Sequence, residues 1–543
     1  MEAWWSLHGV VLPVLLPLAT AVTLLWLGDQ GGLSAQGGGH ASARVRLQRA
    51  LSLGSVTLGL LLALGLVGRA ADGALVVYEL GDWPAPFGIV LVLDRLAALM
   101  VLLTQAVALP VLAYACGGWD VRGRHFHALF HFQLMGLNGA FLTGDLFNLF
   151  VFFEVLLIAS YTLLLHGQGR ERLRMGVHYV VLNLTASALF LIALALIYAS
   201  TGTLNMADVA QKVARLQGTE LRLAQAAALL LLVVFGLKAA LVPLYAWLPA
   251  TYAAASAPVA ALFAVMTKVG LYAIVRVHWV IFGLDAGAAS STAQPWLLGA
   301  AVLTSLLGVM GALAAHTLGR MVAYLTVASV GTIALGVGLF TPATLSAALY
   351  YTLHSTVVIA GLFLLVEQVA AQRGAMADRL QPASAVREPV LLGVTMLFGA
   401  ASAAGLPPLP GFIGKVMLLQ SSAGLPSQPW VWALVLGVGF LTLLGLARAG
   451  IVMFWHVEPA RPEPSAGSSV RLLAAPWVFM ALTLGLALAA APIKAYTDAA
   501  AQQLTDKAAY AEAVLARQGG PWVPTARPYD GRWVPQQHKE QQP

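Results

Sequence analysis

The sequence predicts an all-α polytopic membrane protein of about fourteen transmembrane helices, with two inverted five-helix repeats and broken helices at the seventh and twelfth spans. Three observations carry that prediction. The chain has 543 residues, 59% of them hydrophobic and only 10% charged, where soluble domains are about 25% charged. A single soluble core stops growing near roughly 250–300 residues, so this much apolar surface calls for lipid as its solvent. Apolar runs of about 20 residues, the length that crosses a bilayer, recur along the whole chain. Arginines collect in alternate connections between those runs, which is a sign of membrane topology.

The first run, expected over roughly 5–27, has an acid and no basic residue ahead of it in MEAWWSLHGVVLP. A cleaved signal peptide has a basic start, so this reads as a span. The others are expected near 48–68, 93–115, 127–145, 147–166, 177–199, 222–247, 254–281, 295–315, 321–340, 344–369, 389–421, 429–455 and 472–493. Between the second and third, residues 70–92 carry Gly, Pro and β-branched residues and read as a short hairpin outside the bilayer. After about 494 the chain turns polar. Residues 496–517 suit an amphipathic surface helix, and the Pro-, Gly- and Gln-rich end reads as a loose tail.

Basic residues fall in every second loop: Arg44, Arg46 and Arg49; Arg122 and Arg124; Arg170, Arg172 and Arg174; Arg373, Arg379 and Arg387; Arg461 and Arg471. These loops are expected in the cytoplasm, which leaves both termini outside. The loop holding Asp208, Lys212, Arg215, Glu220 and Arg222 is mixed in sign and weakens the pattern. The net charge of +7 is thus a topology signal, and nucleic acid is not an expected partner. With one cysteine, Cys116, no intrachain disulfide is possible.

Two spans are interrupted. One holds Pro243 and Pro249 within LKAALVPLYAWLP, the other Pro407, Pro408 and Pro410 within AAGLPPLPGFIGK. Proline removes a backbone donor and breaks a helix, and lipid tolerates this where neighbours or cavity water satisfy the freed carbonyls. Matched breaks in two halves are the pattern of an inverted-repeat transporter. The division is then 1–126 for the N-terminal spans and hairpin, 127–281 and 295–455 for the repeats, 456–494 for the final span and 495–543 for the helix and tail.

The charges inside the spans point to function. A charge at mid-bilayer costs about 2.5–3.5 kcal/mol even on insertion scales, so such groups are paired, wet or functional. The clearest are Glu154, Lys238, Lys268 and Lys415, with His354 as the neutral member. A buried acid and a buried lysine that tune each other can exchange protons when a partner moves, so this set reads as a midplane proton relay. Plainer readings exist for each. Glu154 and Lys238 could be a static ion pair, Lys268 could snorkel to an interface, and His354 could bond a carbonyl. Asp94 and Asp145 sit at span starts, where capping is the better reading. No Walker A motif, no dinucleotide fingerprint and no metal-spaced Cys or His set is present, so no cofactor and no metal is expected.

The segments GDLFNLFVFFEVLLIASYTLLLHG, KAALVPLYAWLPATYAAASAPVAALFAVMTKVGLYAI and GLPPLPGFIGKVML resemble the antiporter-like subunits of Mrp-type Na+/H+ antiporters, respiratory complex I and membrane-bound hydrogenases. Within that group the chain is most similar to the Mrp (Mnh/Pha) branch. The resemblance implies a fourteen-helix fold. It implies that Glu154, Lys238, Lys268, His354 and Lys415 match the family's ionisable positions. It also implies a monovalent cation (Na+ or K+)/H+ antiporter of several subunits, with a larger homologous subunit and small hydrophobic ones as partners. Complex I relatives of the M type have a glutamate where Lys415 stands. Those of the L type have a lysine one turn after the histidine and a long lateral helix. Here 22 residues of polar helix reach only about 33 Å at 1.5 Å per residue. A proton-pumping module of a redox enzyme remains the alternative, and a purely structural role is a third.

Overall fold

The computed structural model describes residues 8–28, 43–83, 85–458 and 470–515. The loop at Arg461 and the polar end after 515 lie outside them. The first helix, α1 (Leu12–Trp26), packs on α2 (Ala43–Ala71) and α4 (Phe126–Leu142), and α2 packs on α3 (Arg95–Ala115). The expected hairpin is a two-stranded antiparallel ribbon of β1 (Val76–Glu79) and β2 (Val90–Leu93), with Val76 opposite Leu93. Asp94 then caps α3 by accepting from Ala97 N at 2.7 Å, and Asp145 caps α5 (Leu146–Leu165) by accepting from Asn148 N at 2.8 Å.

Next come α6 (Arg170–Thr201), a short α7 (Met206–Val213) and α8 (Gly218–Ala239). The α8 helix stops where Ala240 takes a left-handed φ of 62°. Pro243 lies in the link, and Pro249 lies in the first turn of α9 (Trp247–Ala254), where proline is tolerated. Trp247 Nε1 donates to Leu237 O at 3.0 Å, a carbonyl in the last turn of α8 that also accepts from Ala240 N at 3.1 Å. Helix α10 (Ala257–Val275) runs on into a π-helical turn over Arg276–Ile281.

The second half holds α11 (Gln294–Ala314), α12 (Leu318–Gly338), α13 (Pro342–Gln372), α14 (Pro389–Ala404), α15 (Pro410–Ser422) and α16 (Gln428–Phe454). The α14 helix ends at Gly405 in a left-handed turn, Pro407 and Pro408 lie in the link, and Pro410 opens α15. Helix α17 (Val470–Leu488) ends earlier than the expected 493, and the chain bends by 76° into α18 (Ala490–Thr505). The expected surface helix over 496–517 is in fact α18 and α19 (Lys507–Leu515). Their Ala500, Ala501, Leu504, Tyr510 and Val514 are buried against the rest of the chain.

Among the described residues, ten helices are long and apolar enough to cross a bilayer, or eleven with the bent pair. This falls short of fourteen because α1, α4 and α14 have only 15, 17 and 16 residues, fewer than the roughly 20 that cross a bilayer without help. Large side chains on the outer surface are apolar, with Leu61, Ile158 and Leu397 each at least 60% exposed, as a lipid-facing surface requires. Three helices see almost no lipid. The hydropathic window of α10 with its π turn is 100% buried, and those of α12 and α13 are 94% buried.

Candidate functional site

Of the groups singled out in the spans, Lys238, Lys268, His354 and Lys415 are buried. Glu154, in the middle of α5, is half-buried, and Lys238 is 5% exposed in the last turn of α8. The carbonyl end of a helix favours a cation there. The two are joined by a third residue, Ser187 of α6. Its hydroxyl donates to Glu154 Oε1 and accepts from Lys238 Nζ at 3.4 Å. The ammonium also lies 5.5 Å from the centre of the Phe153 ring, near enough for a cation–π contribution. An ammonium–hydroxyl–carboxylate chain has all its dipoles aligned, so each hydrogen bond strengthens the next.

Lys268 is wholly buried at the middle of α10, which rules out snorkelling. Its ammonium reaches only hydroxyls, Thr267 Oγ1 and Ser329 Oγ, each at 3.4 Å. Among the described residues no carboxylate pairs with it. Ser329 of α12 opens onto a cavity of about 30 Å³ for water centres, also lined by Thr332, Tyr351, His354 and Lys415. About 10–15 Å³ on that measure holds one water, so the cavity has room for two. His354 Nδ1 is buried and has no hydrogen-bond partner among the described residues.

Lys415 closes the far side. It rises from α15 to donate to Ala404 O at 2.6 Å, the carbonyl left free where α14 ends. A Cβ on Gly439 would lie 3.1 Å from Lys415 Nζ, so that glycine makes room for the ammonium. Gly411 sets the closeness of the half-helices. A Cβ there would meet Ser402 O at 1.9 Å and His354 Nε2 at 2.8 Å, so only glycine lets α15 start against His354.

The five residues thus fall into two clusters, Glu154–Ser187–Lys238 and Lys268–Ser329–cavity–His354–Lys415. No hydrogen bond joins them among the described residues. The carrying helices α8 and α10 touch at Gly270, where a Cβ would come 2.6 Å from Ala239 N.

Both clusters lie in a stretch that comparison with known proteins identifies. Residues 143–443 match the family described as "NADH:quinone oxidoreductase/Mrp antiporter, TM". The chain belongs to that family. Within the NADH:quinone oxidoreductase/Mrp antiporter family, it is 41% identical to the D subunit of a probable K+/H+ antiporter of Rhizobium meliloti, covering 94% of this chain and 98% of the relative. It is 37% identical to the D subunit of a Na+/H+ antiporter of Bacillus subtilis, covering 93% and 99%. Among solved structures it resembles a chain of the Mrp complex from Dietzia, with a TM-score of 0.82 and 28% identity over 93% of this chain and 99% of that one. It also resembles a chain of the membrane-bound sulfane sulfur reductase, an archaeal respiratory membrane complex, at 0.81 and 25% over the same shares.

Sequence reasoning missed the hydroxyls that link the charges. Ser187 and Ser329 look like any other serine in an apolar helix. It also missed two carboxylate centres at the ends of the bundle. Glu367 of α13 accepts from Tyr114 OH at 2.9 Å and from Trp119 Nε1 at 2.5 Å, while the Arg122 guanidinium carbon sits 3.9 Å from the centre of the Trp119 ring. Asp94 caps α3 as expected and in addition binds Arg276 through both oxygens, at 2.5 and 2.9 Å. A charged residue inside the 254–281 run was the available signal for Arg276.

Proposed function

We propose that this chain is the proton-translocating subunit of a multisubunit monovalent cation/H+ antiporter. Protons pass along the midplane through Glu154, Lys238, Lys268, His354 and Lys415. The observation that carries this reading is the connection of ionisable groups through hydroxyls and a cavity with room for water, with Lys268 and His354 on helices α10 and α13 that see almost no lipid. Proton transfer needs donor and acceptor within hydrogen-bond reach or one water apart. Ser187 supplies the first kind of link and the Ser329–His354–Lys415 cavity the second. A purely structural use of the charges fits less well, because among the described residues no carboxylate pairs with Lys268.

The antiporter names of the relatives support the exchange of Na+ or K+ for protons. The partners are then a larger homologous subunit and small hydrophobic subunits in a bacterial cell membrane. The arginine-bearing loops face the cytoplasm, and the β-hairpin and both termini face outside. The two interrupted helix pairs, α8–α9 and α14–α15, belong to the inverted repeats 127–281 and 295–455. The test is exchange in the assembled complex. Glu154→Ala or Lys238→Ala is expected to abolish cation-dependent collapse of a pH gradient in vesicles, and full exchange by both variants would overturn the relay.

One observation favours a second reading. The likeness to a respiratory membrane complex suits a proton-pumping module driven by redox partners. The complex purified from native membranes in mild detergent separates the two. A colourless assembly supports the antiporter. Flavin and iron–sulfur absorbance in stoichiometric amount supports the redox-driven pump.

A further inference from the structure

Lys268, Tyr272 and Arg276 stand four residues apart on one helix and its π turn, so they share a face. All three are buried, Lys268 at 0% and Arg276 at 1% exposure. The α10 helix has no lipid contact to spare for polar groups, so this stripe is conspicuous. A second cavity, of about 20 Å³ for water centres, is lined by Lys268, Tyr272, Leu96, Met100 and Thr352. That is room for about one water. Lys268 therefore stands between two cavities. Through Ser329 it meets the one that leads to His354 and Lys415, and directly it meets the one that leads to Tyr272.

Beyond Tyr272 the polar groups continue. Tyr272 OH donates to Phe141 O at 2.5 Å and accepts from Arg276 Nε at 3.1 Å and Nη2 at 2.9 Å. Arg276 in turn grips Asp94, the residue that follows the hairpin strand β2. Arg95, Tyr496 and Tyr510 are the other ionisable groups near this pair, and His278 follows on the same turn. The Tyr510 hydroxyl is buried and lacks a hydrogen-bond partner among the described residues, as do both ring nitrogens of His278. A buried hydroxyl with nothing to bond costs about 1–3 kcal/mol, so the cluster holds a spare polar group. Arg276 also opens the π-helical turn, and such turns are frequent at functional sites.

We propose that Tyr272 and the Asp94–Arg276 pair form the outer port of the proton route, linking Lys268 to the membrane face that bears the β-hairpin. The inference rests on the relay reading above and deepens it. In the arrangement seen, the port is shut. The tyrosine's proton is held by Phe141 O, its lone pairs are taken by Arg276, and the guanidinium charge repels a passing proton. A proton reaching Asp94 from outside neutralises the carboxylate and loosens its hold on Arg276. The freed phenol then turns to the cavity water. That water gives a proton to the amine of Lys268 and takes one from Tyr272, which regains one from Asp94. One proton has moved from Asp94 to Lys268, and no bond on Tyr272 has changed in number.

The test uses the whole complex reconstituted in vesicles, with proton flux read against the pH of each side separately. Tyr272→Phe keeps the ring packing and removes the relay atom. It is expected to lower turnover at least ten-fold with the KM for the cation unchanged, and to flatten the dependence on outside pH. Asp94→Asn is expected to flatten the same outside-pH dependence, and it carries the test if Tyr272→Phe fails to assemble. Wild-type turnover and an unchanged outside-pH profile in either assembled variant, beside an inactive Glu154→Ala control, would overturn the port and leave the relay standing. A loss of assembled complex with a normal profile per complex would show a structural role only and would also overturn it. Full activity of the Glu154→Ala control would instead bring down the relay reading itself.

Discussion

Removing the Ser187 hydroxyl tests the link between the two charges of the first cluster. In Ser187→Ala the oxygen that accepts from Lys238 Nζ at 3.4 Å and donates to Glu154 is gone. The methyl group left behind fills the same space and cannot carry a proton. A hydrogen bond to a charged group is worth about 1.5–3 kcal/mol, and each 1.36 kcal/mol is about tenfold in rate. If that stabilisation is lost only while a proton crosses between the lysine and the glutamate, turnover should fall about 10- to 150-fold. Ser187→Thr keeps the hydroxyl and should stay within several-fold of the wild type. The assay is cation-driven change of a pH-sensitive dye in vesicles, normalised to the amount of assembled complex. An alanine variant that assembles and exchanges at the wild-type rate would refute the bridge.

Gly411→Ala should prevent α15 from seating against α14, because the added carbon would lie 1.9 Å from the backbone oxygen of Ser402, which cannot swing aside. The expected result is loss of assembled complex on native gels, or turnover reduced more than about ten-fold on the scale that equates 1.36 kcal/mol with a decade; normal exchange would contradict the packing. Trp247→Phe deletes the bond to Leu237 O, which keeps its bond from Ala240 N at 3.1 Å, so thermal unfolding should show a loss of only about 0.5–1.5 kcal/mol. Asp120, in the loop after α3, gives a pH prediction. Burial by itself would raise its carboxyl, but hydrogen bonds from His127 and Arg49 outweigh that and hold it below its ordinary value. Its stabilisation is therefore complete above about pH 4, the unfolded aspartate value, and is lost as pH falls through the lower folded value. Thermal stability measured against pH should show this acid loss in the wild type and not in Asp120→Asn.

The candidate site is legible in part from the residues alone. Glu154, Lys238, Lys268, His354 and Lys415 stand out because a titratable side chain in a 20-residue apolar run has few harmless explanations. The prolines and glycines mark where helices stop, since a missing donor or a left-handed turn acts locally. Lys415 reads from sequence as a member of the relay, and the structure adds that its ammonium sits on the free carbonyl of Ala404. Arg276 escapes because it lies near the end of a long run, where an arginine looks like an interfacial anchor.

The amino-acid order by itself determined the solvent, the approximate spans and the breaks, because hydropathy, proline and glycine act over one helix at a time. It also determined that some charges must be hidden from lipid. Only the tertiary structure decided which of them meet. Helices α10, α12 and α13 are buried around almost their whole circumference, so no contrast between a hydrophobic and a solvent face tells which side meets which neighbour. The contacts of Ser187 with Glu154 and Lys238, of Ser329 with Lys268, and of Asp94 with Arg276 across 182 residues of chain follow from how whole helices pack. Side chains become partners there because the same close packing that excludes lipid leaves small polar cavities between them.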